Sequence, residues 1–282
     1  AFNKKLEFRG TYYTFAKGGI HSIDDSRIYD NSEGYLLYDA DVSSYYPSII
    51  EIFKVSPKHI LLDVFIYLVG KFKKDRLAAK HAGIKLEAEA LKIVINRIYG
   101  ALGDPMDYLY DPKAVYETTL NGQLSLLMLI EKIEVISDGN IHCISANTDG
   151  IVCKFRPDQE AIYQDCCQRW QDATKLSLEF TDYERYLRND VNNYIAVKKG
   201  FQKCIDEFKL NNKVIYHEKE LTSIEAIEDV FVKRKGLFIP KVEFNKGFIH
   251  PVVPQALNAY LLYNVPIETY IENHIKEDDT AI

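Results

Sequence analysis

Residues 141–155 constrain this chain more than any other stretch. Two β-rich apolar runs, Ile141–Ala146 and Ile151–Phe155, are split by only Asn147-Thr148-Asp149-Gly150. Such spacing predicts a β-hairpin with Asp149 in its tight turn. A further strand is predicted at Tyr35-Leu36-Leu37-Tyr38-Asp39-Ala40-Asp41-Val42, which has a buried apolar face and carries Asp41 at its end. Burying an uncompensated carboxylate is costly, so both aspartates need something to offset their charge.

The remaining pattern mixes strands with longer helices. Residues 5–16 alternate as one strand, closed by a turn at Gly18-Gly19. Pro47 lies one turn into the segment after Asp41, where a helix tolerates proline best. Helical periodicity runs from about Pro57 to Ala82, breaks at His81-Ala82-Gly83, and resumes from Lys85 to Leu102. So short a link predicts an antiparallel helical hairpin. Pro112 opens a long helix that ends before Asp138-Gly139-Asn140. A helix at 158–174, strands near 176–186 and 191–198, and helices at 253–263 and 267–276 follow. Residues 200–250 show no single period.

A chain of 282 residues, 47% hydrophobic and 27% charged, has material for one large domain or a few small ones and argues against long disorder. No apolar run approaches the ~18 residues of a spanning helix, and the first residues do not read as a signal peptide, so a cytoplasmic location is expected, in the host if the source is viral. Five cysteines without a C-x-x-C pair read as free thiols, and the histidines do not cluster with them at zinc spacing. The net charge of -6 argues against a nucleic-acid binder until its distribution is seen. Residues 71–97 carry +5, from Lys71, Lys73, Lys74, Arg76, Lys80, Lys85, Lys92 and Arg97 against Asp75, Glu87 and Glu89. Residues 230–250 carry +4, and the tail from 266 carries -4. The acidity therefore hides basic segments suited to phosphate.

Either aspartate alone reads as a turn or cap residue. Together, brought from separate strands, they suit Mg²⁺, which takes one or two carboxylates plus substrate phosphates. The cationic helical hairpin reads either as a solvated face or as a wall toward a triphosphate.

Three segments carry a family resemblance. Asp41-Val42-Ser43-Ser44-Tyr45-Tyr46-Pro47-Ser48-Ile49 resembles motif A of the family B DNA polymerases, D-x-x-S-L-Y-P-S-I. Lys92-Ile93-Val94-Ile95-Asn96-Arg97-Ile98-Tyr99-Gly100 is similar to motif B, K-x-x-x-N-S-x-Y-G, and Asn147-Thr148-Asp149-Gly150 to motif C, D-T-D-S. They occur in the family's order, each in the expected element. Asn192-Asn193-Tyr194 lies where the family carries K-x-Y, and Lys233-Arg234-Lys235-Gly236 resembles a following basic strand. Gly18-Gly19 and the N-T-D-G variant resemble phage members.

The resemblance implies an α+β fold of the right-hand type: an antiparallel-sheet palm at 1–56 and 104–235, helical-hairpin fingers at 57–103, and a small helical thumb at 236–282. It implies a template-directed DNA polymerase that uses dNTPs and primer–template DNA, with two Mg²⁺ ions for which Mn²⁺ can substitute. Asp41 and Asp149 would be catalytic and hold the metals, the Val42 carbonyl completing one site. Ser44, Tyr45, Tyr46, Arg76, Lys80, Lys92, Asn96 and Tyr99 would bind the nucleotide, with Tyr46 excluding a 2′-hydroxyl. Gly100, Tyr194, Lys198, Lys233 and Lys235 would touch DNA.

The sequence also departs from the pattern. Asn147 replaces the first Asp of D-T-D, Arg97 the Ser of motif B, and Asn192 the Lys of K-x-Y, for which Lys198 or Lys199 would substitute. About forty residues before motif A are too few for a 3′–5′ exonuclease domain, so proofreading, clamps or other replication factors are expected in trans or from a longer parent chain. The alternative is a non-catalytic DNA-binding palm scaffold with a degenerate site. An RNA-templated or ribonucleotide-using palm enzyme is a third reading, opposed by Tyr46. Asp39, two residues before Asp41 on the same strand face, is expected to be solvated or salt-bridged.

Overall fold

A computed structural model of the chain describes residues 3–16, 18–240 and 250–279. In chain order the elements are β1 (Lys4–Phe8), β2 (Thr11–Phe15), β3 (Ile20–Ile23), β4 (Arg27–Asp30), β5 (Leu36–Val42), α1 (Tyr45–Phe53), α2 (Leu62–His81), α3 (Lys85–Leu102) and α4 (Pro112–Ile136). Then come β6 (Ile141–Thr148), β7 (Gly150–Phe155), α5 (Glu160–Thr174), β8 (Leu178–Asp190), β9 (Asn193–Lys198) and α6 (Phe201–Asn211). The chain ends with β10 (Val214–Tyr216), β11 (Lys219–Leu221), α7 (Ile224–Phe231), β12 (Val232–Lys235), α8 (Val252–Tyr263) and α9 (Ile267–Asp279). It is a mixed α/β chain with a large antiparallel sheet. Among the described residues no helix is long and apolar enough to cross a membrane.

The chain divides into two compact units. One comprises residues up to Asp24 together with Ser32–Asp182, the other Asp25–Asn31 together with residues from Tyr183 onward. In the first unit the strands run β1-β2-β3-β6-β7-β5, all paired antiparallel. One sheet face is covered by α4 and α5, whose Leu126, Leu129, Ile130, Ile133 and Trp170 pack on Ile141, Ile151 and Phe155. Trp170 is 1% exposed and its indole N–H donates to the Ser125 carbonyl at 2.7 Å. A smaller apolar cluster joins Ile50 of α1, Phe65 and Val69 of α2, Leu102 of α3 and Val115 of α4. It anchors the α2–α3 hairpin beside α1. All five cysteines are free and buried.

The second unit sets β4, β8, β9 and β12 side by side, antiparallel. Ile195 and Val197 of β9 pack with Phe201 and Ile205 of α6 and with Ile227 and Phe231 of α7. Arg234 is pinned within it: Nε donates to Asn258 Oδ1 at 2.6 Å, and Nη2 meets Glu228 Oε2 at 2.6 Å. Tyr263 bonds the other oxygen of Glu228, so α7, β12 and α8 share one polar knot.

Several sequence expectations shift. Residues 5–16 form not one strand but a β1–β2 hairpin, because Arg9 (φ 47°) and Gly10 (φ 83°) both adopt left-handed backbone and reverse the chain. The helix expected from Pro57 starts at Leu62. Ahead of it, Ile60 N–H closes a turn on the Pro57 carbonyl, and Lys58 N–H donates to Asp111 Oδ2 at 3.0 Å. Asp111 then N-caps α4 through Lys113 and Ala114, with Pro112 in the first turn. Strand β8 extends to Asp190, past its expected end at 186, where Asp190 accepts from Asn192 N and Asn193 Nδ2 to turn the chain into β9. Asp39 is buried, not solvated, at 5% exposed. Part of the segment expected as thumb, 241–249 and 280–282, lies outside the described residues.

Candidate active site

The site begins at the end of β5. Asp41 is the last β5 residue paired to β7, opposite Gly150, and the next residue, Val42, donates its N–H to the Asp149 carbonyl at 2.7 Å. The end of β5 and the β6–β7 turn are therefore fastened together, and both aspartates open on the same space. The fit is tight: a Cβ on Gly150 would lie 1.8 Å from Asp41 Oδ1. Glycine there follows from that close approach. The turn itself is strained. Thr148, a β-branched residue, has φ 60°, and Asp149 N–H reaches back to the Asn147 carbonyl at 2.7 Å.

Gly19 completes the support of that turn. A Cβ on it would lie 2.8 Å from Thr148 Cα, so the Gly18-Gly19 link lets β3 pass directly under the tip. The Gly18 carbonyl also accepts the Tyr46 hydroxyl at 2.6 Å. Tyr46 is held twice, because its ring stacks on Tyr99 at 3.7 Å between centroids, with planes 3° apart. Tyr99 is in turn hydrogen-bonded to Thr119 of α4. Burial pushes the Tyr46 phenol up, as do the neighbouring Tyr99 and the charge of Asp149, so it stays protonated.

After Val42 the chain turns at Ser43-Ser44 into α1. Ser44 is left-handed (φ 49°, ψ 52°) and does not cap the helix with its side chain. Its hydroxyl instead accepts from Arg76 Nη1 at 2.6 Å. Pro47 has no N–H, so Tyr45 and Tyr46 carry the first amides of a helix N-terminus, the end that favours anions.

These pieces enclose a pocket of about 450 Å³ lined by Asp41, Val42, Ser43, Ser44, Tyr45, Tyr46, Arg76, Lys92, Asn96, Tyr99, Asp149 and Glu179. Ten of the residues expected at the site thus meet on one surface, from β5, α1, α2, α3 and the β6–β7 turn. Lys80 does not line it but grips Glu179, which does. Gly100 lines a neighbouring pocket that shares Tyr99. Tyr194, Lys198, Lys233 and Lys235 are in the second unit. Lys233 pairs with Ala196 and Lys235 with Tyr194, so strand alternation puts these two lysines, Tyr194 and Lys198 on one sheet face. The tyrosine is buried at 7% exposed.

The cationic hairpin resolves into distinct tasks. Lys71 pairs with Asp75, and Lys73 with Glu51 of α1. Arg97, the departure from motif B, binds Asp107 at 2.6 Å and Asp104 at 3.5 Å, so it clamps the α3–α4 loop. Arg76 and Lys92 reach the pocket. Glu179 is the residue that sequence reasoning missed. Its partners Lys80 and Ser43 lie 99 and 136 residues away in the chain, so no local motif marks it. Partial burial pushes its carboxyl up, but hydrogen bonds from Lys80 and Ser43 and the charges of Lys80 and Arg76 hold it below the ordinary range.

Chemically, the pocket offers a pair of carboxylates with the Val42 segment, together with two cations and a helix N-terminus. Among the described residues no group of three or more His, Cys, Asp or Glu forms a closed metal cage. An open pair of hard oxygen donors fits Mg²⁺ or Mn²⁺, which keep water and phosphate ligands, and does not fit structural zinc.

No family model matches the chain. No curated protein matches it either. Among solved structures it is similar to that of the family B DNA polymerase from the hyperthermophilic archaeon Pyrobaculum calidifontis, at 16% identity and a TM-score of 0.48. The similarity covers 70% of this chain and 29% of that one.

Proposed function

We propose that the pocket binds a deoxynucleoside triphosphate and that this chain is the core of a template-directed DNA polymerase. The observation that supports this most is convergence: three segments far apart in sequence, 41–46, 92–99 and 149, line one cavity together with Arg76. In this reading the first unit's sheet is the palm, the α2–α3 hairpin the fingers, and residues from 236 onward a thumb. Asp41, Asp149 and the Val42 carbonyl would hold two divalent ions. When bound, those ions supply charge stabilisation and an activated primer hydroxyl.

The chain's own residues do the remaining work. Arg76 and Lys92 offset phosphate charge, and the α1 N-terminus adds amide dipoles where the chain folds back at Ser44. The Tyr46–Tyr99 stack forms a flat apolar floor for the sugar and base, and the Gly18 carbonyl fixes the height of the Tyr46 ring. Asn96 lies one helical turn after Lys92 on the same α3 face, so phosphate and base contacts come from one helix edge. Primer–template DNA would be met by Gly100 beside the floor and by the basic face of Lys198, Lys233 and Lys235.

Primer extension with Mg²⁺ and dNTPs tests the proposal. Asp41→Asn and Asp149→Asn should each lower the rate on the order of a thousandfold or more, several kcal/mol of lost transition-state stabilisation. Undiminished extension by either variant would remove the metal assignment. Tyr46→Ala should keep extension but admit ribonucleotides, read from incorporation of labelled rNTPs. Continued exclusion would show that the ring is not the sugar gate.

A further inference from the structure

Glu179 is out of place in a pocket built for a polyanion. It lines the same pocket as Arg76 and Lys92, yet it is a carboxylate. Lys80 resolves the conflict. Its Nζ lies 2.9 Å from both Glu179 oxygens, and Ser43 Oγ donates to Oε1 at 2.9 Å. Lys80 stands one helical turn after Arg76, in the last turn of α2, so both cations project from the same face. Each is tethered to a residue outside α2, Arg76 to Ser44 and Lys80 to Glu179.

We propose that Glu179 is a positioning residue that competes with the incoming triphosphate for Lys80; this rests on the nucleotide-binding reading of the pocket. With the pocket empty, Glu179 holds the amine at the rim and cancels its own repulsion toward phosphate. When a triphosphate arrives, Lys80 swings to it, and Ser43 keeps the freed carboxylate in place. The exchange is cheap because the pair is half exposed, 45% for Lys80 and 51% for Glu179, where ion pairs are weak. A lysine is suited to it: a compact charge on a four-carbon stem can change partner without moving the helix. The consequence is selectivity by phosphate length. A ligand that reaches only Arg76 and Lys92 leaves the clasp shut and gains nothing from Lys80.

Isothermal titration of the full chain with inorganic tripolyphosphate, and of dATP with Mg²⁺, tests the clasp. Glu179→Gln keeps the Ser43 hydrogen bond and removes the charge. It should bind both probes roughly threefold to tenfold tighter, equivalent to about 0.6–1.4 kcal/mol. In primer extension it should lower KM for dNTP by the same factor. In a Lys80→Met background the same substitution should give no gain, because the competitor is then absent. A gain that persists without Lys80 would mean plain charge removal and would overturn the proposal. So would equal or weaker binding by Glu179→Gln when its thermal unfolding matches the wild type. If the wild-type chain binds neither probe, the nucleotide reading of the pocket itself fails, and the clasp with it.

Discussion

Two arginines show how differently one residue type is used in this chain. Arg234, in the second unit, is held on two sides. Glu228 and Asn258 take its guanidinium, Tyr263 closes the far side of Glu228, and the Arg234 side chain is 11% exposed. Arg76, in the first unit, makes one side-chain hydrogen bond, to Ser44, and otherwise faces an open pocket. The difference teaches that a count of cations says little about phosphate binding. What matters is how many partners each cation already has and how much water it has lost.

The comparison can be broken most severely at Arg234. Arg234→Ala takes the guanidinium from half-buried Glu228 and buried Asn258 and should cost about 2–3 kcal/mol of stability, below the 3–5 of a fully buried pair. Chemical denaturation followed by far-UV circular dichroism measures it. A loss under ~0.5 kcal/mol would show that the knot is ornamental.

Arg76→Ala and Lys92→Ala should do the reverse. Each should raise KM for dNTP about tenfold while stability changes by less than about 1 kcal/mol. Lys73→Ala is the control from the same hairpin: it loses a contact to Glu51 and should leave KM unaltered. If Lys73→Ala impairs nucleotide use as much as Lys92→Ala, the hairpin acts as a diffuse field, and individual assignment is lost.

The smallest effect extends the contrast to anions. Asp111, like Arg234, is already engaged: it takes backbone N–H bonds from Lys58, Ala114 and Lys113, and these hold its carboxyl below the ordinary value against the effect of burial. A carboxyl whose folded pKa is depressed contributes stability above its unfolded pKa, near 3.9, and loses it as pH falls through the folded value. Asp111→Asn should therefore be less stable by ~1 kcal/mol at pH 7, with the gap to wild type closing below about pH 4. Urea midpoints across pH 3–7 read this directly. A gap independent of pH would mean that the cap acts by shape alone.

Much of this was legible in the sequence where the signal is local. The N-T-D-G turn between apolar runs fixed the β6–β7 hairpin, Pro112 marked the start of α4, and Gly83 ended α2. The pocket residues from 41–46, 92–99 and 149 were readable as motifs. Hairpins whose turns lack the usual residues were not. The β10–β11 turn uses His217 (φ 45°) and Glu218 (φ 64°), where Asn-Gly is the ordinary choice, and the surrounding 200–235 gave no period. Ion-pair partners were also hidden. Nothing near Arg97 distinguishes a cation at a nascent base pair from a clamp on Asp104 and Asp107, and Glu179 gains its meaning only when β8 is laid beside the Ser43 turn.

One packing detail sets what light can report about the molecule. Trp170 is the sole tryptophan among twenty tyrosines, and it is sealed between α5 and the Ser125 carbonyl of α4. Excited at the red edge of protein absorption, emission should come from this indole alone and be blue-shifted by its burial. Its colour follows the α4–α5 seam of the first unit. Filling the pocket beside Asp41 and Asp149 should leave that colour unchanged, whereas parting the two helices should redden it at once.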